Sequence, residues 1–151
     1  MIRERIAEET KQAMKSGDKP RLSTLRLMSS AIKNAEIEGR TSGKGEVSDD
    51  ALLGLLQKLV KQRQESAELY DKGARPELAA AERAEIVVIQ SFLPQQMSEE
   101  ETRAAIADAI KETGAASVKD MGKVMAALKA RYTGKMDLGK AGGIVKAMLT
   151  G

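Results

Sequence analysis

Between Lys119 and Leu149 the sequence KDMGKVMAALKARYTGKMDLGKAGGIVKAML sets seven lysines and arginines against two acids. Cations at that density suit one kind of chemistry: neutralising a run of phosphates and releasing the counterions condensed on a nucleic acid. Lys119, Lys123, Lys129, Arg131, Lys135 and Lys140 fall within 22 residues and form the candidate RNA-binding set. Lys58, Lys61 and Arg63, in KLVKQRQES, form a secondary basic cluster open to a partner or to RNA. The alternative reading of both is a solvated surface, because charge of this kind is ordinary on soluble helical proteins.

Other chemistries are poorly served. The chain has no His and no Cys, so an imidazole base, a thiolate nucleophile and a Cys-ligated metal are excluded. Its acids are spread over helix surfaces, and none stands in a Gly-rich or DxD-like setting that would cradle Mg²⁺ or a phosphate. The loop GRTSGKGEV lacks the GxxxxGK[ST] pattern. The expectation is no catalytic residue, no cofactor, no metal and no enzymatic activity from this chain alone. Glu82 and Glu85 are expected to pair with bases of the neighbouring subdomain rather than to act as general acids. Arg21 and Arg26 bracket an apolar stripe and are expected to be solvated or paired with an acid at i+4, with RNA contact as the alternative.

The elements that must hold these residues are helices. Ile2, Ile6, Ala13 and Met14 recur at helical spacing, Gly17 closes that segment, and Asp18 can cap a second helix with Pro20 in its first turn. Leu22, Leu25, Met28 and Ile32 give the second stripe, ending near Gly39. Ser48 with Asp49 and Asp50 starts a third helix of about 25 residues reaching Gly73, with Leu69 and Tyr70 left to pack. A fourth, from about Arg75 to Phe92, carries Leu78, Ile86, Val87 and Ile89, and Pro94 breaks the pattern. Ser98 and Glu101 form a capping box for a fifth, with Ile106 and Ile110 inward and Gly114 at its end. Ser117 and Asp120 repeat the box before Met121, Met125, Leu128 and Tyr132, Gly134 ends that helix, and Asp137 caps a seventh with Leu138, Val145, Met148 and Leu149. The fold class is therefore all-α and multihelical, with an N-terminal helical subdomain over residues 1–94 and a small three-helix subdomain over residues 95–151.

Charge is uneven along this order. Residues 98–114 hold five acids and two bases, whereas residues 117–151 hold seven bases and two acids. Against a Met121, Met125 and Leu128 stripe, Lys119 and Lys123 lie opposite, and Lys129 and Arg131 flank it. The acids at 99–101 are expected to repel a phosphate ligand from the other side. With one Phe, two Tyr and no Trp, the chain cannot offer the stacking platforms of single-strand binders, so a folded RNA held by its backbone is the compatible ligand.

The ordered segments GDKPRLSTLRLMSSAIKNAEIE, KLVKQRQESAELYDKGARPEL and AERAEIVVIQSFLPQQMSEEE, followed by the basic C-terminal stretch, resemble the Yqey-like family over nearly all 151 residues. The helical body of that family is similar to the tail domain of the B subunit of tRNA-dependent Asp/Glu amidotransferases. The resemblance implies a tRNA-binding accessory protein, with tRNA as ligand and an amidotransferase or aminoacyl-tRNA synthetase as possible protein partner. A carbon-nitrogen ligase activity with glutamine as amido-N-donor would belong to the parent complex and not to this chain. The alternative is a helical protein-interaction module without RNA binding. Gly142 and Gly143 depart from the family pattern, which more often has bulkier or polar residues there; their presence implies fraying or a close backbone approach.

The whole chain has 42% apolar and 31% charged residues and a formal charge of +3, the composition of a globular protein. No apolar run is long enough to span a bilayer, and MIRERIAEETKQAMK mixes acids and bases unlike a secretory or transit segment. No membrane association and a cytoplasmic location are the expectations.

Overall fold

The computed structural model describes residues 2–43 and 46–150; Lys44 and Gly45, in the glycine-rich loop, lie outside them. Among the described residues all regular structure is helical: seven α-helices and one 3-10 turn. These are α1 (Ile2–Ser16), α2 (Lys19–Thr41), α3 (Asp49–Lys72), α4 (Pro76–Gln90), α5 (Glu99–Thr113), the turn Val118–Asp120, α6 (Met121–Tyr132) and α7 (Leu138–Thr150). The chain divides into two compact units, residues 1–93 and 94–151.

In the first unit, α3 packs along α4, α1 along α2, and α2 also meets α3 and α4. The core is a single cluster in which Leu25, Met28, Leu52, Leu56 and Ile89 are fully buried. Asp18 accepts the Arg21 N–H and Ser48 the Ala51 N–H, each satisfying a donor that the first helical turn leaves free. Arg3 ties three segments together, donating to Glu36 at 2.7 Å and to the Val47 carbonyl at 2.6 Å. Arg5 lies 4.9 Å from the Phe92 ring centroid and donates to the Ser91 carbonyl, closing the end of α4.

Several expectations are corrected here. The second helix runs two residues past Gly39, to Thr41. Met14, Leu69, Leu78 and Val87, read as packing residues, are exposed, Leu69 and Val87 to 68% each. In each case a neighbour on the same helix takes the inward position: Ala13, Ala67, Ala79 and Ile86 are buried. Small size lets helices approach closely at Ala, so a buried alanine can displace a leucine from the packed stripe. At the α3–α4 turn it is Ala74, not Gly73, that adopts positive φ (57°).

In the second unit, α5, α6 and α7 pack pairwise around Ile106, Val124, Leu128, Met136 and Val145, with Ala105, Ala109 and Ala141 filling the closest approaches. The Ser98–Glu101 capping box is formed, with both hydrogen bonds at 3.1 Å. Gly114 closes α5 with φ 68°, and Gly134 turns the chain out of α6 with φ 84°, conformations that L side chains enter at a cost. Asp120 does not start α6 directly. Its carboxylate accepts the Ala116 and Ser117 N–H groups and holds the 3-10 turn that precedes the helix.

Helix α7 continues through Gly142 and Gly143. A Cβ at Gly142 would rest 3.7 Å from the Met121 methyl, an ordinary contact, and one at Gly143 would meet nothing within 4 Å. Neither glycine is needed for close packing. Gly143→Ala should therefore raise the stability of this unit by about 0.5–1 kcal/mol, the helix-propensity difference, read from the midpoint of urea unfolding.

Candidate nucleic-acid interface

The basic residues of the second unit are positioned by the core dyads of two helices. In α6 the buried dyad is Val124 and Leu128, which turns the stripe roughly 50° from the Met121, Met125 and Leu128 line. Lys123 and Lys129 then stand on opposite shoulders, each roughly 120° from the core direction, and both are exposed. Lys119 is exposed on the 3-10 turn. In α7 the dyad is Ala141 and Val145, with Lys140 and Lys146 exposed beside it.

Arg131 behaves differently. The rotation brings it toward α5, where it forms an ion pair with Glu112, and that hydrogen bond raises the guanidinium pKa above its ordinary value. It is a clamp between two helices and is removed from the freely exposed set.

Lys135 sits in the α6–α7 turn, which is pinned from below. The Met97 N–H donates to the Lys135 carbonyl at 2.9 Å, and the Gln96 amide donates to the Gly134 and Pro94 carbonyls at 2.6 and 2.8 Å. Lys135 and Lys140 border a cleft of about 170 Å³ that Glu99 and Asp137 also line. This corrects the expectation for the acids at 99–101: Glu99 adjoins these two lysines instead of lying on the other side. Asp137 is occupied in part as the cap of α7, accepting the Lys140 N–H at 3.2 Å.

The acids of this unit are largely engaged elsewhere. Glu99 pairs with Arg103, Glu101 and Asp120 accept backbone N–H groups, and Glu112 takes Arg131. Among the described residues, the ion pairs within 4.0 Å use Arg3, Arg21, Arg63, Arg83, Arg103 and Arg131 and involve no lysine. Most arginines, with their fixed fork of donors, are spent on the fold; lysine is left at the surface.

The same division dismantles the secondary cluster. Arg63 falls one turn beyond Leu59 and Val60, on the packed face of α3. Its side chain is only 12% exposed, paired with Glu85 at 2.8 Å and donating to the Leu59 carbonyl. Lys58 and Lys61 remain exposed. Glu85 thus pairs within its own unit, not with the neighbouring one, and Glu82 is half-buried. Arg21 pairs with Glu9 of α1 at 2.8 Å, not with an acid at i+4, and Arg26 is exposed. Lys146 is the residue the sequence reading missed: it lies beyond Gly142 and Gly143, where a frayed end was expected.

The described residues contain no group of three or more carboxylates placed to hold a metal ion. Backbone N–H donation holds the carboxyls of Glu101 and Asp120 below their usual range, from Ser98 for the former and from Ala116 and Ser117 for the latter. A depressed folded-state pKa stabilises the fold above the unfolded-state value, about 4, and this contribution is lost as pH falls through the folded-state value. The unit should show nearly level stability from these groups between about pH 5 and 8 and a decline below about pH 4. Glu101→Gln with Asp120→Asn should reduce that acid decline; an unchanged ratio of urea midpoints at pH 7 and pH 3 would count against these caps.

The match to known proteins settles the lineage. The model of the Yqey-like protein family covers residues 3–149. The chain belongs to the Yqey-like family. This Yqey-like chain is 36% identical over 88 residues to Altered inheritance of mitochondria protein 41, mitochondrial, of Vanderwaltozyma polyspora, covering 58% of the chain and 46% of that protein. It is 31% identical over 132 residues to the protein of the same name from Pyrenophora tritici-repentis, covering 84% and 71%. The counterpart in Lachancea thermotolerans is 35% identical over 109 residues, covering 71% and 57%. The Yqey-like chain thus spans about half of two of these relatives and somewhat over two thirds of the third. Their names correct the expectation of a cytoplasmic location. That expectation rested on the lack of a long apolar run and on a first segment unlike a secretory or transit peptide, and proteins named as mitochondrial match the chain along much of its length.

Proposed function

We propose that this chain binds folded tRNA through its sugar–phosphate backbone and serves as an accessory, without chemistry of its own, to an enzyme that acts on aminoacylated tRNA. An amidotransferase or an aminoacyl-tRNA synthetase is the partner class this reading favours. The observation that carries it is the division of labour among cations in the second unit. Both arginines there are ion-paired, while Lys119, Lys123, Lys129, Lys140 and Lys146 are exposed and outside any ion pair among the described residues. Such lysines can exchange condensed counterions for phosphates without first breaking a bond in the protein. The single aromatic of the unit, Tyr132, is half-buried, which suits backbone contact and not base stacking.

A second reading, a protein-interaction module, draws on Leu69 and Val87, exposed on α3 and α4. Crosslinking RNA to the full chain in cells, purifying it under denaturing conditions and sequencing the RNA separates the two. Enrichment of tRNA over ribosomal and messenger fragments is the expected result. Recovery of no RNA above an uncrosslinked control would favour the protein-interaction reading.

A further inference from the structure

The two helices that carry the lysines repeat one another. In register, DMGKVMAALKARY (120–132) and DLGKAGGIVKAML (137–149) share Asp, Gly, Lys, Lys and Ala at five of 13 positions. Asp120 matches Asp137, Lys123 matches Lys140 and Lys129 matches Lys146. The structure carries the correspondence further: residues 121–132 and 138–149 follow the same order of buried, half-buried and exposed positions throughout. Each copy has a buried dyad, Val124 with Leu128 or Ala141 with Val145, bracketed by exposed lysines one residue before and one after.

The outward face between each lysine pair is small. It consists of Gly122, Ala126 and Ala130 in α6, and of Gly139, Gly143 and Ala147 in α7, all exposed. Lysines six residues apart stand about 9 Å apart along the axis and about 120° apart around it. Each helix therefore presents a low backbone ridge with one ammonium group on either side. The copies differ where the fold needs them to: Arg131, clamped to Glu112, stands where the second copy has Met148.

We propose that the two copies are equivalent grips for A-form RNA, each setting its ridge against the minor groove and its two lysines on the bordering phosphate strands, so that the ligand is the double-helical part of a folded RNA. This rests on the RNA-binding reading above and specifies which part of the RNA is held. The minor groove of A-form RNA is wide and shallow, displays 2′-hydroxyls and is bordered by two phosphate strands. Glycine and alanine let a helix come close to such a surface, and lysines on its shoulders reach the phosphates. A single strand would instead need stacking partners that neither outward face supplies.

The test uses the full chain, a 16-base-pair RNA hairpin and a single strand of the same composition, with binding read by fluorescence anisotropy. Lys123→Gln/Lys129→Gln and Lys140→Gln/Lys146→Gln should each weaken hairpin binding by about the same factor, on the order of 10-fold, and each should lower the salt slope by about 2. The quadruple variant should lose roughly the product of the two factors. Ala126→Leu, with its added bulk on the outward face and away from the core, should weaken binding at an unchanged salt slope. Helicity by circular dichroism should match the parent in all of them. A loss confined to one pair, or a single strand bound as tightly as the hairpin, overturns the two-grip inference and leaves RNA binding standing. A parent chain that binds neither probe overturns both.

Discussion

Leu128→Ala is expected to unfold a measurable fraction of the C-terminal unit at 37 °C. Leu128 is fully buried, and of the eight buried residues in its cluster three are already alanine, so few large side chains remain to fill the space it leaves. Truncating a buried leucine removes its transfer free energy and adds a cavity term, together about 2–5 kcal/mol. A unit of this size holds only a few kcal/mol in all. Amide hydrogen exchange is the suitable readout, since the chain has no Trp. Protection should fall across α5, α6 and α7 together. A loss of less than about 1 kcal/mol would mean that the site collapses around the smaller residue and that the core is centred elsewhere.

Local features were the most legible in the sequence. Asp18, Ser48, Ser98 and Asp137 each cap the helix they precede, because a cap is decided by a side chain and a backbone N–H three residues away. Gly114 and Gly134 end their helices for an equally local reason. The phase of a short helix was less legible. In α6, Met121, Met125, Leu128 and Val124 are all apolar, and only packing against α5 and α7 selects Val124 with Leu128 as the inward dyad. That shift of phase moved Arg131 from a shoulder to the α5 side, where Glu112 meets it. Long-range pairs such as Arg63 with Glu85 and Arg21 with Glu9 join separate helices and leave no mark in sequence spacing. For the candidate site, the sequence located the basic stretch but did not separate fold-bound arginines from exposed lysines, and it passed over Lys146.

Replacing Lys119, Lys123, Lys129, Lys140 and Lys146 together by Gln should weaken binding to folded tRNA on the order of 100-fold or more at ~0.1 M salt, with helix content unchanged. Each phosphate contact contributes about 0.9 to the slope of log affinity against log salt on a duplex, so five lost contacts leave a large deficit at low ionic strength. Structural cost should be small, since these side chains are exposed and make no ion pair among the described residues. Arg131→Gln should show the opposite balance. Loss of the exposed Glu112 pair should cost about 0.2–1 kcal/mol of stability, with a smaller effect on tRNA affinity than any of the lysine pairs.

The salt dependence of tRNA affinity, compared between the parent chain and the five-lysine variant, tests the account most directly. The expected result is a steep linear fall in log affinity with log salt for the parent and a slope shallower by up to about 4.5 for the variant, the two lines converging at high salt. Parallel lines of equal affinity would contradict it: the lysines of α6 and α7 would then be a solvated surface, and the exposed apolar residues of α3 and α4 would become the place to look for a partner.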